Sequence, residues 1–454
     1  MRTNQKSPPP TTFEGGVAEH QTALEELTRA VSTCLLWENT FYEKGNDIAK
    51  RIEELCRKVR LQDVAMLAIH ARENLKLRHV PLFLLRQLLK YQPNAIFPPY
   101  FVADTIKKVI QRPDEIAELL SIYWKTNDKK ALPAQLKKGL AAAFTKFNEY
   151  QLAKWNKQDR DVKLRDALFL CHAKPVTMGQ AYLWKSLVDG TLATPDTWEV
   201  ALSAGADKKE TWERLISENR IGAMAILMNL RNMIQAGVDR KWIAQAITKT
   251  PRSKALPFRY ITAFKYAPGY AQEISDAMEA SVAKLNKLVG NTLIVIDVSG
   301  SMDATISQKS QLTRMETAAA LAVLFRYVTP QCSVWTFSQS LVEVPNYKGL
   351  PLVRGIVESQ QHGGTYLAKA LMALQRREPK INRIIVITDE QAHDGIIPCW
   401  AEHGYIVNVA PYKPGLDTHN GWTRISGWSE RLVDWISYEE TGKTLAEEED
   451  ESAS

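Results

Sequence analysis

The sequence predicts two unlike modules in one chain, a long all-helical array followed by a doubly wound α/β domain. From about residue 20 to 287, apolar residues recur at helical spacing in segments of roughly 10 to 18, separated by Pro, Gly or Asn/Asp turns. At Gly290 the pattern changes to Leu293-Ile294-Val295-Ile296, a short β-branched run of the kind that is buried on both faces of a parallel sheet. Beyond that run, strand-like and helix-like segments alternate as far as residue 437.

In the helical part, residues 101–110 form a helix that Pro113 stops, and Asp114 stands where it can cap the next, which carries Ile116, Leu119, Leu120 and Tyr123. Residues 221–236 form another, closed by Gly237 in the left-handed C-terminal position, and 240–248 follow before Pro251. Antiparallel pairs of this kind suit a HEAT-like array, whose units run about 40 to 47 residues. After Gly290 come a helix over 313–327, strands over 333–337 and 341–344, a helix over 366–377, strands over 383–388 and 405–410, and a closing helix over 429–437. The expected organisation is a flexible lead-in over 1–19, the helical module over 20–288 and the α/β domain over 289–445. The last residues, 446–454, hold Glu447, Glu448, Glu449, Asp450 and Glu451 and form an acidic tail too charged to fold.

At 454 residues and 45% hydrophobic content, the chain can fill several cores. It has no apolar run of about 18 residues and no apolar leader, so a cytoplasmic protein without a membrane span is expected. Cys34, Cys56, Cys171, Cys332 and Cys399 form no CxxC pair, which fits buried thiols in a reducing compartment. The net charge of +7 is unevenly shared: residues 1–290 hold 44 Lys and Arg against 31 Asp and Glu, and residues 291–454 hold 14 against 20. A +13 module joined to a −6 module places the surface for a polyanion in the first, unless the lysines only solvate helix faces.

The α/β domain carries a set of oxygen donors. Asp297 ends the first strand, and the Asp297-Val298-Ser299-Gly300-Ser301 turn sets one carboxylate and two hydroxyls on one side of a loop. Gly363-Gly364-Thr365 offers a third hydroxyl before a helix, and Asp389 ends the 384–388 strand, so three loops meet at one sheet edge. Asp297, Ser299, Ser301, Thr365 and Asp389 together resemble, position for position, the metal-ion-dependent adhesion site of the von Willebrand A family. That resemblance implies a bound Mg²⁺ or Mn²⁺ whose open coordination position takes a carboxylate from a protein partner, for docking rather than catalysis. Carboxylates on such a loop edge are expected to be exposed, and Asp303, Glu390 and Asp394 to be solvated neighbours.

The helical part resembles the TROVE module of the Ro autoantigen family and its bacterial relatives. The residues that carry this are Thr40-Phe41-Tyr42, Arg78-His79-Val80-Pro81-Leu82-Phe83-Leu84, the run from Leu136-Lys137-Lys138 to Lys154, Leu164-Arg165-Asp166 with Cys171-His172-Ala173-Lys174-Pro175, Met228-Asn229-Leu230-Arg231-Asn232-Met233, and Pro257-Phe258-Arg259. Ro proteins place a ring of HEAT-like helix pairs before a von Willebrand A domain, the same order as here. The resemblance implies a monomeric ribonucleoprotein component that binds noncoding RNA, with single-stranded 3′ ends of misfolded RNA in the ring and structured Y-type RNA outside it. A ribonuclease is one partner that could supply the carboxylate. Lys137, Lys138, Lys154, Lys157, Arg160, Lys163, Arg165, His172 and Lys174, interleaved with Tyr150 and Trp155, are the expected RNA contacts, with His172 leaning to a structural role. Where family members carry a polar, His-bearing turn before the Asp of the Asp-to-His stretch, this chain has Val162-Lys163-Leu164.

No enzyme signature competes. The eight histidines form no HExxH pair, no GxSxG elbow occurs, and Gly442-Lys443-Thr444 lacks the phosphate-loop glycine at 437, where Ser437 stands. The alternative is a metal-dependent scaffold whose helices grip protein instead of RNA.

Overall fold

The computed structural model describes residues 10–33, 40, 42–91, 100–125, 131–157, 159–252, 257–283, 285, 287–307, 310–413, 415–427 and 431–441. The acidic tail and residues 1–9 of the lead-in lie outside them. Among the described residues, sixteen α-helices run between Ala23 and Val282, and six strands lie between Thr292 and Ser426. None of these helices is long and apolar enough to cross a membrane. The chain divides into two compact units, one of residues 49–204 and one that joins residues 1–48 to 205–454. The sheet therefore shares its unit with helical residues on both sides of the 49–204 segment, a grouping that the change of pattern at Gly290 does not reveal.

In the 49–204 unit, the helix Phe101–Val109 packs on Ala134–Phe144. Their backbones meet at Gly139, where a Cβ would stand 2.7 Å from Ile106 Cβ and 3.0 Å from the Ala103 carbonyl oxygen. Only a residue without a side chain allows that approach. The next helix begins at Pro113, and Glu115, not the expected Asp114, caps it: its Oε2 accepts from the N–H groups of Gln111 and Arg112 at 2.8 and 3.1 Å. Asp114 binds Arg78 and Arg112 at 2.6 and 2.8 Å instead, while Glu115 is fully buried against Arg72 at 2.6 Å. Burial alone would strand these charges, so the arginines are what let the acidic first turn sit inside.

In the other unit, six strands, β1 Thr292–Asp297, β2 Cys332–Phe337, β3 Leu341–Val344, β4 Arg383–Thr388, β5 His403–Asn408 and β6 Thr423–Ser426, line up as β3-β2-β1-β4-β5-β6. All neighbours are parallel except the β2–β3 pair. β1 and β4 are buried along their whole length, as a continuous apolar run in a covered parallel sheet demands. Arg314–Val328 and Leu367–Arg377 supply flanking helices close to the expected spans, the first capped by Thr313 and Glu316. The structure departs from the sequence expectation in four places: β5 is His403–Asn408 rather than 405–410, the helix Gly349–Val357 and the edge strand β6 are additional, and the last helix is Arg431–Thr441 rather than 429–437.

Residues 10–19, expected to be a flexible lead-in, pack on this sheet unit. Thr11 bridges Val17, Ala18 bridges Leu416, and the Thr12 hydroxyl donates to the Ala392 carbonyl at 2.9 Å. Gly16 lies so close that a Cβ would stand 2.1 Å from the same carbonyl oxygen. Cys56 and Cys171 are buried thiols as expected, whereas Cys332 and Cys399 are half-buried, and Cys34 lies outside the described residues.

The helix crossing generates a test. Gly139→Ala should destabilise the 49–204 unit by about 1–3 kcal/mol, the usual effect of overpacking. The check is the midpoint of urea unfolding, and an unshifted midpoint would show that the two backbones do not approach as described.

Candidate cation site and basic surface

β1 and β4 are neighbours where the strand order reverses, so the loops leaving their carboxyl ends converge. Asp297 closes β1 and Asp389 follows β4. Asp297 Oδ1 accepts the Ser299 N–H at 2.9 Å, and its Oδ2 accepts the Thr388 hydroxyl at 2.6 Å. The Ser299 and Ser301 hydroxyls stand 3.3 Å apart, and Ser301 hydrogen-bonds Asp389. The loop carrying Thr365 is tied in from two sides: Gly300 N–H donates to the Gly363 carbonyl at 3.2 Å, and His393 N–H to the Thr365 carbonyl at 2.8 Å. The structure thus draws the expected donors to one edge.

These donors are not exposed, contrary to the sequence expectation. Asp297 and Asp389 are at 0% exposure, and Ser299, Ser301 and Thr365 at 4% or less. Burial and the neighbouring Asp389 charge push the Asp297 carboxyl up to about 7, and burial raises Asp389 as well. Asp389 Oδ1 takes the Gln391 N–H at 3.1 Å, but Oδ2 has no hydrogen-bond partner among the described residues. A buried, unpartnered carboxylate oxygen is costly, and here it sits within a donor set made only of oxygens, the set a hard divalent cation takes.

Glu390, expected to be solvated, is fully buried. Its backbone is left-handed, at φ 62°, and Arg29 reaches it at 2.8 Å and Arg424 at 3.0 Å. Burial raises its carboxyl, yet the Arg29 and Arg424 charges outweigh that and hold it below the usual range. Asp303 and Asp394 are exposed; Asp303 pairs with His362, and Asp394 accepts the Ala368 and Lys369 N–H groups at the start of the Leu367–Arg377 helix. A second group, Glu19, Asp417 and His419, brings three potential ligands together. There the Glu19 carboxylate is already engaged by Arg424 and by the Thr418 N–H and hydroxyl.

All nine expected RNA contacts belong to the 49–204 unit. Lys137 and Lys138 lie on the Ala134–Phe144 helix, Lys154 on Glu149–Trp155, and Arg165 on Leu164–Leu170, which Lys163 precedes. Several are already occupied: Lys154 pairs with Glu199 at 3.6 Å, Arg160 with Glu118 at 3.4 Å, Arg165 with Asp166 at 3.5 Å, and Lys138 lies over the Tyr100 ring at 4.6 Å. Lys137, Lys157, Lys163 and Lys174 form no ion pair among the described residues. His172 has a structural backbone role, since its φ of 53° supplies the left-handed turn that ends Leu164–Leu170, while its side chain is exposed. Trp155 stacks under Arg112 at 3.7 Å, and Tyr150 is exposed.

Sequence reasoning missed two groups of residues. Phe169, Val176, Met178 and Tyr182 are each more than 60% exposed beside the Lys163–Lys174 cations, and an apolar spacing pattern assigns such residues to a core. Glu14 and Tyr42 stand at the cation site itself, where the Tyr42 hydroxyl donates to Glu14 and lies within hydrogen-bonding reach of Ser301. No motif marks Glu14, and the Thr40-Phe41-Tyr42 stretch points to the helical part rather than to this site, because both residues come from the far end of the chain.

Residues 189–266 match the TROVE domain and residues 291–403 match the Ro60 vWA domain. The crystal structure of the Deinococcus radiodurans Ro (RSR) protein superposes with a TM-score of 0.60 at 17% identity, covering 93% of this chain and 100% of that one, which shows a shared fold. Telomerase protein component 1 of Mus musculus is 28% identical and that of Rattus norvegicus 24% identical, each over 149 residues and 30% of this chain. The match spans 5% of the length of these two relatives.

The buried ion pair beside the site makes its own prediction. Glu390→Ala leaves Arg29 charged and unpaired at 1% exposure, so it should cost about 3–5 kcal/mol. Chemical denaturation of the full chain checks this, and a loss under about 1 kcal/mol would mean that Arg29 finds water or another acid.

Proposed function

Because this chain belongs to the TROVE-domain proteins that carry a Ro60-type von Willebrand A domain, we propose that it is an RNA-binding ribonucleoprotein component with a cation-dependent docking site. The observation that carries the RNA reading is the segment 163–182, where the half-buried Lys163 and the exposed Lys174, which form no ion pair among the described residues, alternate with the exposed Phe169 and Tyr182. Cations that track phosphates and aromatic faces that stack bases are the two components of single-strand binding, and neither reads sequence. The RNA class we assign is noncoding RNA, both structured Y-type RNA and misfolded RNA with a single-stranded 3′ end. The protein acts by binding, and the chemistry of RNA processing belongs to a partner such as a ribonuclease.

Asp297, Ser299, Ser301, Thr365 and Asp389 would hold Mg²⁺ or Mn²⁺, directly or through water. The ion supplies a hard acid that a partner's carboxylate can join. That Asp389 Oδ2 has no hydrogen-bond partner among the described residues supports this assignment. The protein residues orient that acid: the Thr388 hydroxyl and the Ser299 N–H fix Asp297, and the Gln391 N–H fixes Asp389.

Two outcomes follow. Lys157, Lys163 and Lys174 replaced together by Ala should weaken binding of a tailed RNA and flatten its log–log salt dependence by about 2, at roughly 0.7 per single-strand phosphate. An unchanged slope would move the RNA surface elsewhere, and equal affinity for tailed and blunt RNA would remove the preference for 3′ ends. Asp389→Asn should abolish Mn²⁺ binding measured by calorimetry while leaving the metal-free melting temperature equal or higher, because it relieves repulsion with Asp297. Retained Mn²⁺ affinity would sink the cation site.

A further inference from the structure

The donors of the cation site are buried by the chain itself. Residues 11–17 double back on themselves, with Thr12 N–H donating to the Gly16 carbonyl at 2.8 Å and Gly15, at φ 92°, completing the turn. The tip of this turn, Phe13 and Glu14, is anchored over the loop that follows β4: the Phe13 N–H donates to Gln391 Oε1 at 2.8 Å, and Gln391 in turn donates its own N–H to Asp389. Phe13 stacks on Tyr42 with ring centroids 4.9 Å apart and planes 5° apart. Tyr42 meets the buried Tyr412 edge-on at 4.9 Å, and Tyr412 is held by Arg314, whose guanidinium lies 4.9 Å from that ring. Three aromatic rings on an arginine thus fix the position of one carboxylate.

That carboxylate is Glu14. One of its oxygens accepts the Tyr42 hydroxyl, which also reaches Ser301, and the other faces His393 Nε2 at 3.0 Å. His393 Nδ1 in turn faces the Thr365 backbone, 3.1 Å from its nitrogen and 3.3 Å from its carbonyl oxygen. Glu14 is therefore one hydrogen bond from Ser301 on one side and one residue's ring from Thr365 on the other.

We infer that the 11–17 turn, with Tyr42, is a built-in occupant of the open face of the cation site, and that Glu14 stands in the place a partner's carboxylate takes. The inference rests on the cation-dependent docking proposed above and specifies how that docking is gated. A partner binds by displacing the turn, so it must present a carboxylate, and an aromatic side chain beside it can replace Phe13 on the Tyr42 ring. The occupant is suited to exchange, since Phe13 is 47% exposed and Glu14 keeps 30% of its side chain in water. A ligand that must first uncover its site binds with an apparent affinity reduced by the covered fraction.

The experiment compares the full chain with F13A/E14A and with Y42F. In metal-free protein, amide hydrogen exchange in residues 297–303 and 389–393 should accelerate roughly tenfold or more in both variants, the factor lost when a cover present about 90% of the time is removed. With Mn²⁺ added, acetate as the carboxylate probe should alter the proton relaxation of the bound ion at roughly tenfold lower concentration in F13A/E14A than in the unmodified chain. Unchanged exchange and an unchanged acetate requirement would overturn the inference. Faster exchange in both variants with no Mn²⁺ binding to any of the three proteins would uphold the cover and defeat the cation reading beneath it.

Discussion

A carboxylate removed from water costs several kcal/mol unless a charge or a set of donors compensates it, and this chain buries two, Asp297 and Asp389, at the ends of adjacent parallel strands. The topology makes this unavoidable. β1 and β4 lie side by side at the reversal of strand order, so whatever follows their last residues shares one small volume. Short loops and the Ser299 and Gln391 N–H groups satisfy part of the charge, and Asp389 Oδ2 is left over. The loop that carries Thr365 is drawn into the same volume by the Gly300 N–H to Gly363 carbonyl and His393 N–H to Thr365 carbonyl bonds.

The neighbouring residue shows that the chain has another way to bury an acid. Glu390 is as deeply buried as Asp389, but two arginines from distant segments, Arg29 and Arg424, neutralise it. Glu115 in the helical unit is treated in the same way by Arg72. Against these, Asp297 and Asp389 form no ion pair among the described residues and are held by hydroxyl and N–H donors instead, which is a different design. Where charge balance alone is required, arginine is used; where oxygen donors are left open together, they are arranged for something that enters.

The fold and the donor set were legible because they are written locally. Leu293-Ile294-Val295-Ile296 is a run that only a covered parallel strand accommodates, and Asp297, Ser299 and Ser301 follow it within one turn. Thr313 and Glu316 announce a helix start, and Gly237 announces a helix end. What was not legible depends on partners far along the chain. Nothing near Lys154 or Arg160 says that Glu199 and Glu118 pair with them, so a list of basic residues overstates the cations left for phosphate. β6, four half-buried residues between glycines, is too short to show a period. Glu14 and Tyr42 lie more than 250 residues before the loops they cover, and the turn that delivers Glu14 reads in sequence as a loose leader.

The most direct test of the central claim, that these oxygens form a cation site, is anomalous diffraction from crystals of the full chain grown with Mn²⁺. One anomalous peak is expected within coordination distance of Ser299, Ser301 and Asp389 Oδ2. A crystal in which those side chains are ordered as described and no peak appears among them, or in which the manganese sits only at Glu19, Asp417 and His419, would contradict it.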